Sequence, residues 1–211
     1  PGVMARLGLA YDDVCALRPD VVYASMSAFG QDSPWRDKPG FELIAQALAG
    51  MVSVSSEPGR PPAKIQPQVT DLSSGMLLCI GILGALQHRA RTGEGQWVQA
   101  SLFESAVALM TNLVSMGLFG APVPLGQRSR NPQLFPSQAF RTADGHVAVV
   151  CTPDHWPRFC RALGRAEWIA HPDYARLAYR VEHYDAMEAA VEEILRRQPT
   201  AHWVAALERE Q

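Results

Sequence analysis

Apolar and polar residues alternate most clearly early in the chain at Val21–Ser27, VVYASMS, a β-rich run that reads as a strand. Before it, Tyr11–Leu17 reads as a short helix closed by Arg18, Pro19 and Asp20. Beyond it, Phe41–Ala49 reads as a helix and Met51–Ser55 as a weak strand. The stretch from Leu72 to about Arg89 is apolar on nearly every side, which predicts a buried central helix. His88, Arg89 and Arg91 fall in its last turn and Gly93 just beyond, as the helix dipole and C-cap favour. GQWVQASLF gives a second strand and Glu104–Leu118 a second long helix. Strand, helix, strand, helix predicts an α/β layer arrangement with parallel strands.

After Gly120 the pattern changes. GAPVPLGQRSRNPQLFPS is linker-like, and QAFRTADGHVAVVCT then reads as a hairpin turning at Asp144-Gly145. Three helical segments follow: HWPRFCRALG, DAMEAAVEEILRRQ and TAHWVAALERE. The expected organisation is part of a large α/β domain over 1–120, a linker over 121–135 and a smaller α+β domain over 136–211. AFGQDSPWRDKPG and SEPGRPPAK are loops too long for plain connectors, and loops of that kind are usually functional.

Composition narrows the function classes. The chain has 211 residues, 47% of them hydrophobic and 19% charged, which describes a globular chain and not a disordered one. A net charge of −2 without a Lys/Arg run gives no footprint for nucleic acid or an anionic membrane surface. The core run Gly75–Leu86 is shorter than the roughly 20 residues a membrane span needs, so no membrane partner is expected. Four cysteines without a CxxC pair point to free thiols in a reducing, cytoplasmic setting. The chain opens on PGVMARLGLA with no initiator Met and no secretory leader pattern, and it stops at AHWVAALEREQ in mid-helix. A piece of a longer polypeptide is the expectation.

Candidate chemistry centres on QPQVTDLSSGMLLCIGILGALQHRARTGEGQ, where Asp71 has no acidic neighbour until Glu94. One reading is an N-cap, since an Asp oxygen accepts from the orphan N–H groups of a helix start. The other is a reactive carboxylate. Side chains lean toward the helix N-terminus, and positions 73 to 75 are Ser, Ser and Gly, so nothing bulky leans over Asp71. Gly inside a helix costs roughly 1 kcal/mol relative to Ala, which a structural cap does not require. The dipole and free N–H groups also favour an ionised carboxylate there. The residues alone leave both readings open. Elsewhere there is no Gly-rich phosphate loop and no GxSxG elbow, and the histidines have no partner at metal spacing, so no metal site is expected. Arg128 and Arg130 in GQRSRNP have two readings, an anion holder or a solvated loop.

The order of landmarks resembles the family III CoA-transferases, which include formyl-CoA and carnitine CoA-transferases, with α-methylacyl-CoA racemase as a relative. The matching pieces are PGVMARLGL, RPDVVYASMSAFGQDSPWRDKPGFELIAQALAGM, DLSSGMLLCIGILGALQHRARTGEGQWVQASLFESAVAL and FRTADGHVAV, in family order over nearly the whole chain. Thr70 stands where the family commonly has Ala. The resemblance implies that Asp71 is the nucleophile, passing through an aspartyl mixed anhydride and an aspartyl-CoA thioester. It further implies that Arg6 contacts the CoA phosphates, that Lys38 lies near a CoA-contacting Lys, and that Phe41 and Glu42 border the acyl site. Glu42 also reads simply as a first-turn helix acid. Coenzyme A is then a substrate with no tightly bound cofactor, the acceptor is a carboxylic acid, and the full-length protein is an interlocked homodimer. The racemases carry a His base immediately before the acidic residue, where this chain has Phe41. An acyl-CoA racemase or epimerase is the alternative reading, as is a truncated non-catalytic domain. The piece by itself is expected to be inactive, because about a quarter of the family chain, with part of the CoA site, is missing before Pro1.

Overall fold

Two short helices, α1 (Val3–Arg6) and α2 (Tyr11–Leu17), lead into strand β1 (Val22–Ser27). The structure, a computed structural model, describes residues 1–210. Helices α3 (Glu42–Leu48), α4 (Met51–Ser55) and α5 (Val69–Thr92) follow, then β2 (Gln96–Ser101), α6 (Leu102–Leu109) and α7 (Thr111–Leu118). β1 and β2 pair in parallel, with Val22 opposite Gln96 and Ser27 opposite Ser101. These elements belong to a first unit, Pro1–Gly126. The α/β pattern with parallel strands expected from the sequence is therefore present.

α5 closes the long connection that a parallel pair requires, and it packs on β1, β2, α3 and α6. Two glycines fix how closely. A Cβ at Gly81 would come within 2.6 Å of Val98 Cγ1, so the helix approaches β2 at that point. A Cβ at Gly95 would stand 2.1 Å from the Val21 carbonyl oxygen, so only glycine fits the entry into β2.

Three sequence expectations change. Met51–Ser55 is a helix and not a strand: Gly50, at φ 83°, turns the chain directly out of α3, and the adjacent Met51 and Val52 are both buried. The expected long helix Glu104–Leu118 is two helices meeting at Met110, where the Thr111 hydroxyl donates to the Ala108 carbonyl; such local bonds compete with the helical ladder. α5 is longer than its apolar run predicts, and it is not buried. Of its residues only Thr70, Ser74 and Ala85 are buried, while Leu72, Met76, Ile80 and Leu83 are exposed. Its 24 residues, with an 18-residue stretch of mean hydropathy 1.7, are enough, by length and composition alone, to cross a bilayer. The core run judged too short for that, Gly75–Leu86, is thus only part of the helix.

The second unit begins at Gln127. β3 (Ser137–Arg141) and β4 (His146–Val150) form the antiparallel hairpin, with Ser137 opposite Val150 and Arg141 opposite His146. α8 (Trp156–Ala162), α9 (Leu177–Glu182), α10 (Tyr184–Leu195) and α11 (Thr200–Arg209) follow, with short 3-10 turns before and after α8. α9 has no counterpart among the predicted elements. Phe135, Phe140, Cys160, Val191 and Leu195 are fully buried in one core cluster with Trp156 and Trp203. Arg180 is also fully buried. Among the described residues it has no acidic partner: it donates to the carbonyls of Phe135 (3.1 Å) and Tyr174 (2.6 Å) and lies 4.0 Å over the Trp156 ring. Burial pushes the neighbouring thiols up, Cys151 to about 11 and Cys160 to about 12, so both are unreactive core residues. All four cysteines are free.

Candidate active site

α5 starts three residues earlier than the sequence predicts, so Asp71 is the third helical residue and not the N-cap. The N-cap is Gln68, which forms no side-chain cap bond. The capping acceptor comes from another helix. Glu42, at the start of α3, accepts from the Thr70 N–H at 3.1 Å and from the Asp71 N–H at 2.9 Å through Oε2. Its Oε1 lies 3.2 Å from the Thr70 N–H as well, and the Thr70 hydroxyl donates to Oε2.

Gln46 completes this arrangement. One turn beyond Glu42 on α3, it donates to Glu42 Oε1 at 2.5 Å and to the Ile65 carbonyl at 3.1 Å. Its own Oε1 accepts from the Ile65 N–H at 2.9 Å. Both side chains are buried, Glu42 at 7% exposure and Gln46 at 0%. Burial by itself would raise the Glu42 pKa. The donors around it (the Thr70 hydroxyl, the Gln46 amide and two backbone N–H groups) outweigh burial and hold it below the usual glutamate value. The expectation that free N–H groups at this helix end serve Asp71 is corrected accordingly: those of Thr70 and Asp71 are occupied by Glu42.

Asp71 itself is exposed. Its carboxylate has no hydrogen-bond or ion-pair partner among the described residues, in contrast to the Glu42 carboxylate beside it. Behind it the helix backbone is tied down: Ser74 donates to the Thr70 carbonyl at 2.6 Å and to the Ser101 carbonyl at 3.3 Å. Over the next turn the surface is open, since a Cβ at Gly75 would meet nothing within 4 Å. The arrangement presents one free carboxylate on a fixed backbone.

Phe41 is the N-cap residue of α3 and is 75% exposed, next in the chain to Glu42. Arg6 lies exposed in the last turn of α1. Lys38 is exposed, its ammonium 4.8 Å from the Trp35 ring centre, and Trp35 packs on Phe29 and Phe103. Neither cation has an ion-pair partner among the described residues. The structure brings Glu42 and Asp71 together and shows no contact from Arg6 or Lys38 to either. Arg128 and Arg130 are engaged structurally: Arg130 pairs with Asp185 (2.7 Å) and Glu188, and Arg128 with Glu188 (3.3 Å). No cluster of His, Cys, Asp and Glu suited to a metal exists among the described residues. Thr70 and Gln46 escaped the sequence reading as parts of the site. The i, i+4 spacing of Glu42 and Gln46 on one helix face was the available signal.

The CoA-transferase family III profile matches residues 1–211. The chain belongs to the family III CoA-transferases. It is 32% identical over 206 residues to the acetyl-CoA:oxalate CoA-transferase of Acetobacter aceti, covering 97% of this chain and 53% of that protein. It is 35% identical over 214 residues to the succinyl-CoA:mesaconate CoA-transferase of Haloarcula hispanica, covering 99% and 51%. Among solved structures it is similar to Rv3272 of Mycobacterium tuberculosis, with a TM-score of 0.86 and 32% identity, covering 99% of this chain and 55% of that one. The chain thus spans about half the length of the curated family III relatives it matches.

Proposed function

We propose that the whole protein moves coenzyme A from an acyl-CoA donor to a carboxylic acid acceptor, with Asp71 as the nucleophile. The observation that carries this reading is the exposed Asp71 carboxylate, unpartnered among the described residues, on a helix start fixed by Glu42. An Asp71 oxygen attacks the thioester carbonyl of the donor, the C–S bond breaks, and CoA leaves as thiolate with a mixed anhydride on Asp71. The thiolate attacks Cγ of Asp71, which releases the donor carboxylate and leaves an aspartyl-CoA thioester. The acceptor carboxylate attacks Cγ, freeing the thiolate and forming the second anhydride. The thiolate then takes the acceptor acyl carbon and returns Asp71 to its carboxylate. One thioester is consumed and one is made, with no net proton change. Covalent catalysis of this kind divides one difficult exchange into easier steps.

Arg6 and Lys38, exposed and without ion-pair partners among the described residues, are placed in this reading at the CoA phosphates. The acting protein is a cytoplasmic homodimer, and CoA is its substrate with no resident cofactor. Phe41 has no titratable group, which sets this reading above α-proton abstraction by a racemase. The test is transfer between acyl-CoA donors and acids by the whole protein. Asp71→Ala should lower kcat by about four orders of magnitude or more, as removal of a covalent nucleophile does. It should cost at most about 1 kcal/mol of stability, because Asp71 is not the cap of α5. Substantial transfer by that variant, or rapid exchange of a 2-methylacyl-CoA α-hydrogen with deuterated water, sinks the assignment.

A further inference from the structure

We infer that Glu42 is a positioning residue for Asp71 and not a ligand of the acyl group. The inference rests on Asp71 being the nucleophile. An ionised carboxylate offers about four lone-pair directions. At Glu42 these meet the Gln46 amide, the Thr70 hydroxyl and the N–H groups of Thr70 and Asp71. The side chain is 7% exposed, so no acceptor capacity faces outward for a substrate.

The same atoms perform two tasks. They end the helix, since Gln68 supplies no cap and an anion at a helix start is favoured by the dipole and the free donors. They also hold the peptide that carries the reacting carboxylate. The second unit shows what capping alone looks like. Asp144 caps α11 from outside that helix, accepting from the Thr200 N–H at 2.7 Å and its hydroxyl at 2.8 Å, yet it is exposed. Glu42 is buried, is braced by Gln46 from its own helix, and bonds directly to the N–H of Asp71. Gln46 extends the clamp to Ile65, so the approach to α5 is held at residue 65 and again at residues 70 and 71. Thr70 adds the hydroxyl that an alanine would lack.

A nucleophile loses rate steeply when displaced by an ångström or so, whereas binding of the remote parts of a substrate does not. Glu42→Gln in the whole protein is therefore expected to lower kcat by about a hundredfold while leaving KM for donor and acceptor within about twofold. Thr70→Ala should give a milder loss of about tenfold in kcat, and Thr70→Ser should restore it. Amide exchange supplies a readout independent of turnover: the N–H groups of Thr70 and Asp71 should exchange at least about tenfold faster in Glu42→Gln, with the β3–β4 hairpin unchanged. If Glu42→Gln does not fold, Thr70→Ala and Thr70→Ser carry the same comparison. A rise in KM at constant kcat would make Glu42 a substrate ligand and overturn the inference. Unchanged exchange at Thr70 and Asp71 would do so as well. Failure of the nucleophile assignment looks different: Asp71→Ala would then keep transferring, whatever the amides report.

Discussion

The two units of this chain treat their apolar residues in opposite ways. In the second, hairpin and helices close on one another, and Phe135, Phe140, Val191 and Leu195 are fully buried. In the first, α5 carries the most apolar sequence in the chain and leaves Leu72, Met76, Ile80 and Leu83 exposed. Among the described residues, every exposed large apolar side chain except Val150 and Val204 lies in the first unit. The difference teaches that apolar composition and burial are separate facts. A helix is buried only where other elements exist to cover it, and α5 packs on β1, β2, α3 and α6 while Leu72, Met76, Ile80 and Leu83 stay exposed.

The contrast can be broken first at the second unit's core. Phe140→Ala should cost about 3–5 kcal/mol, because the side chain is fully buried and its loss leaves a cavity in the core. Denaturant unfolding of the hairpin's amides would check it, and a loss below 1 kcal/mol would show a looser core than the packing implies. In the first unit the largest single effect should come from Gly95→Ala, at about 1–3 kcal/mol, since its Cβ would overlap the Val21 carbonyl. The damage should appear at β1 and β2 while the hairpin of the second unit melts unchanged.

Acid should next test one held carboxylate in each unit. Asp144 is held below the usual aspartate value by the Thr200 N–H and hydroxyl. A carboxyl whose folded pKa is depressed contributes stability that is complete above its unfolded pKa and is lost as pH falls through the folded value. Below about pH 4, the second unit of the native chain should therefore lose stability that an Asp144→Asn chain never has, and the two pH profiles should converge in acid. Glu42, also depressed, gives the same sign in the first unit. The smallest effect is expected on α5. Ile80→Ala should change the stability of this 211-residue chain by less than about 0.5 kcal/mol, because the side chain is 64% exposed. Gly75→Ala should be neutral to stabilising by up to about 1 kcal/mol, since its Cβ meets nothing. A large cost at Ile80 would mean that the face is covered in solution.

Local pattern carried much of the fold. The alternation at residues 21 to 27 and the Asp144-Gly145 turn each specify an element through its own residues, and both stand where the sequence places them. Met51–Ser55 failed because five residues cannot distinguish a strand from one helical turn, and the left-handed Gly50 that decides it is a backbone fact. The break at Met110 failed for a related reason, since it rests on where a single Thr hydroxyl bonds.

At the site the division is sharper. The sequence by itself determined that a lone aspartate opens a long apolar helix with only small residues over its next turn, and that the landmarks follow the family III order. Only the tertiary structure decided that Glu42, 29 positions earlier, supplies the cap, that Gln46 and Thr70 complete its hydrogen bonds, and that Asp71 is left without a partner among the described residues. The physical reason is distance along the chain. Helix and strand patterns follow from neighbours a few residues apart, whereas a buried carboxylate is stable only when donors from a separate segment meet it, and that meeting exists only after α3 has packed against the start of α5.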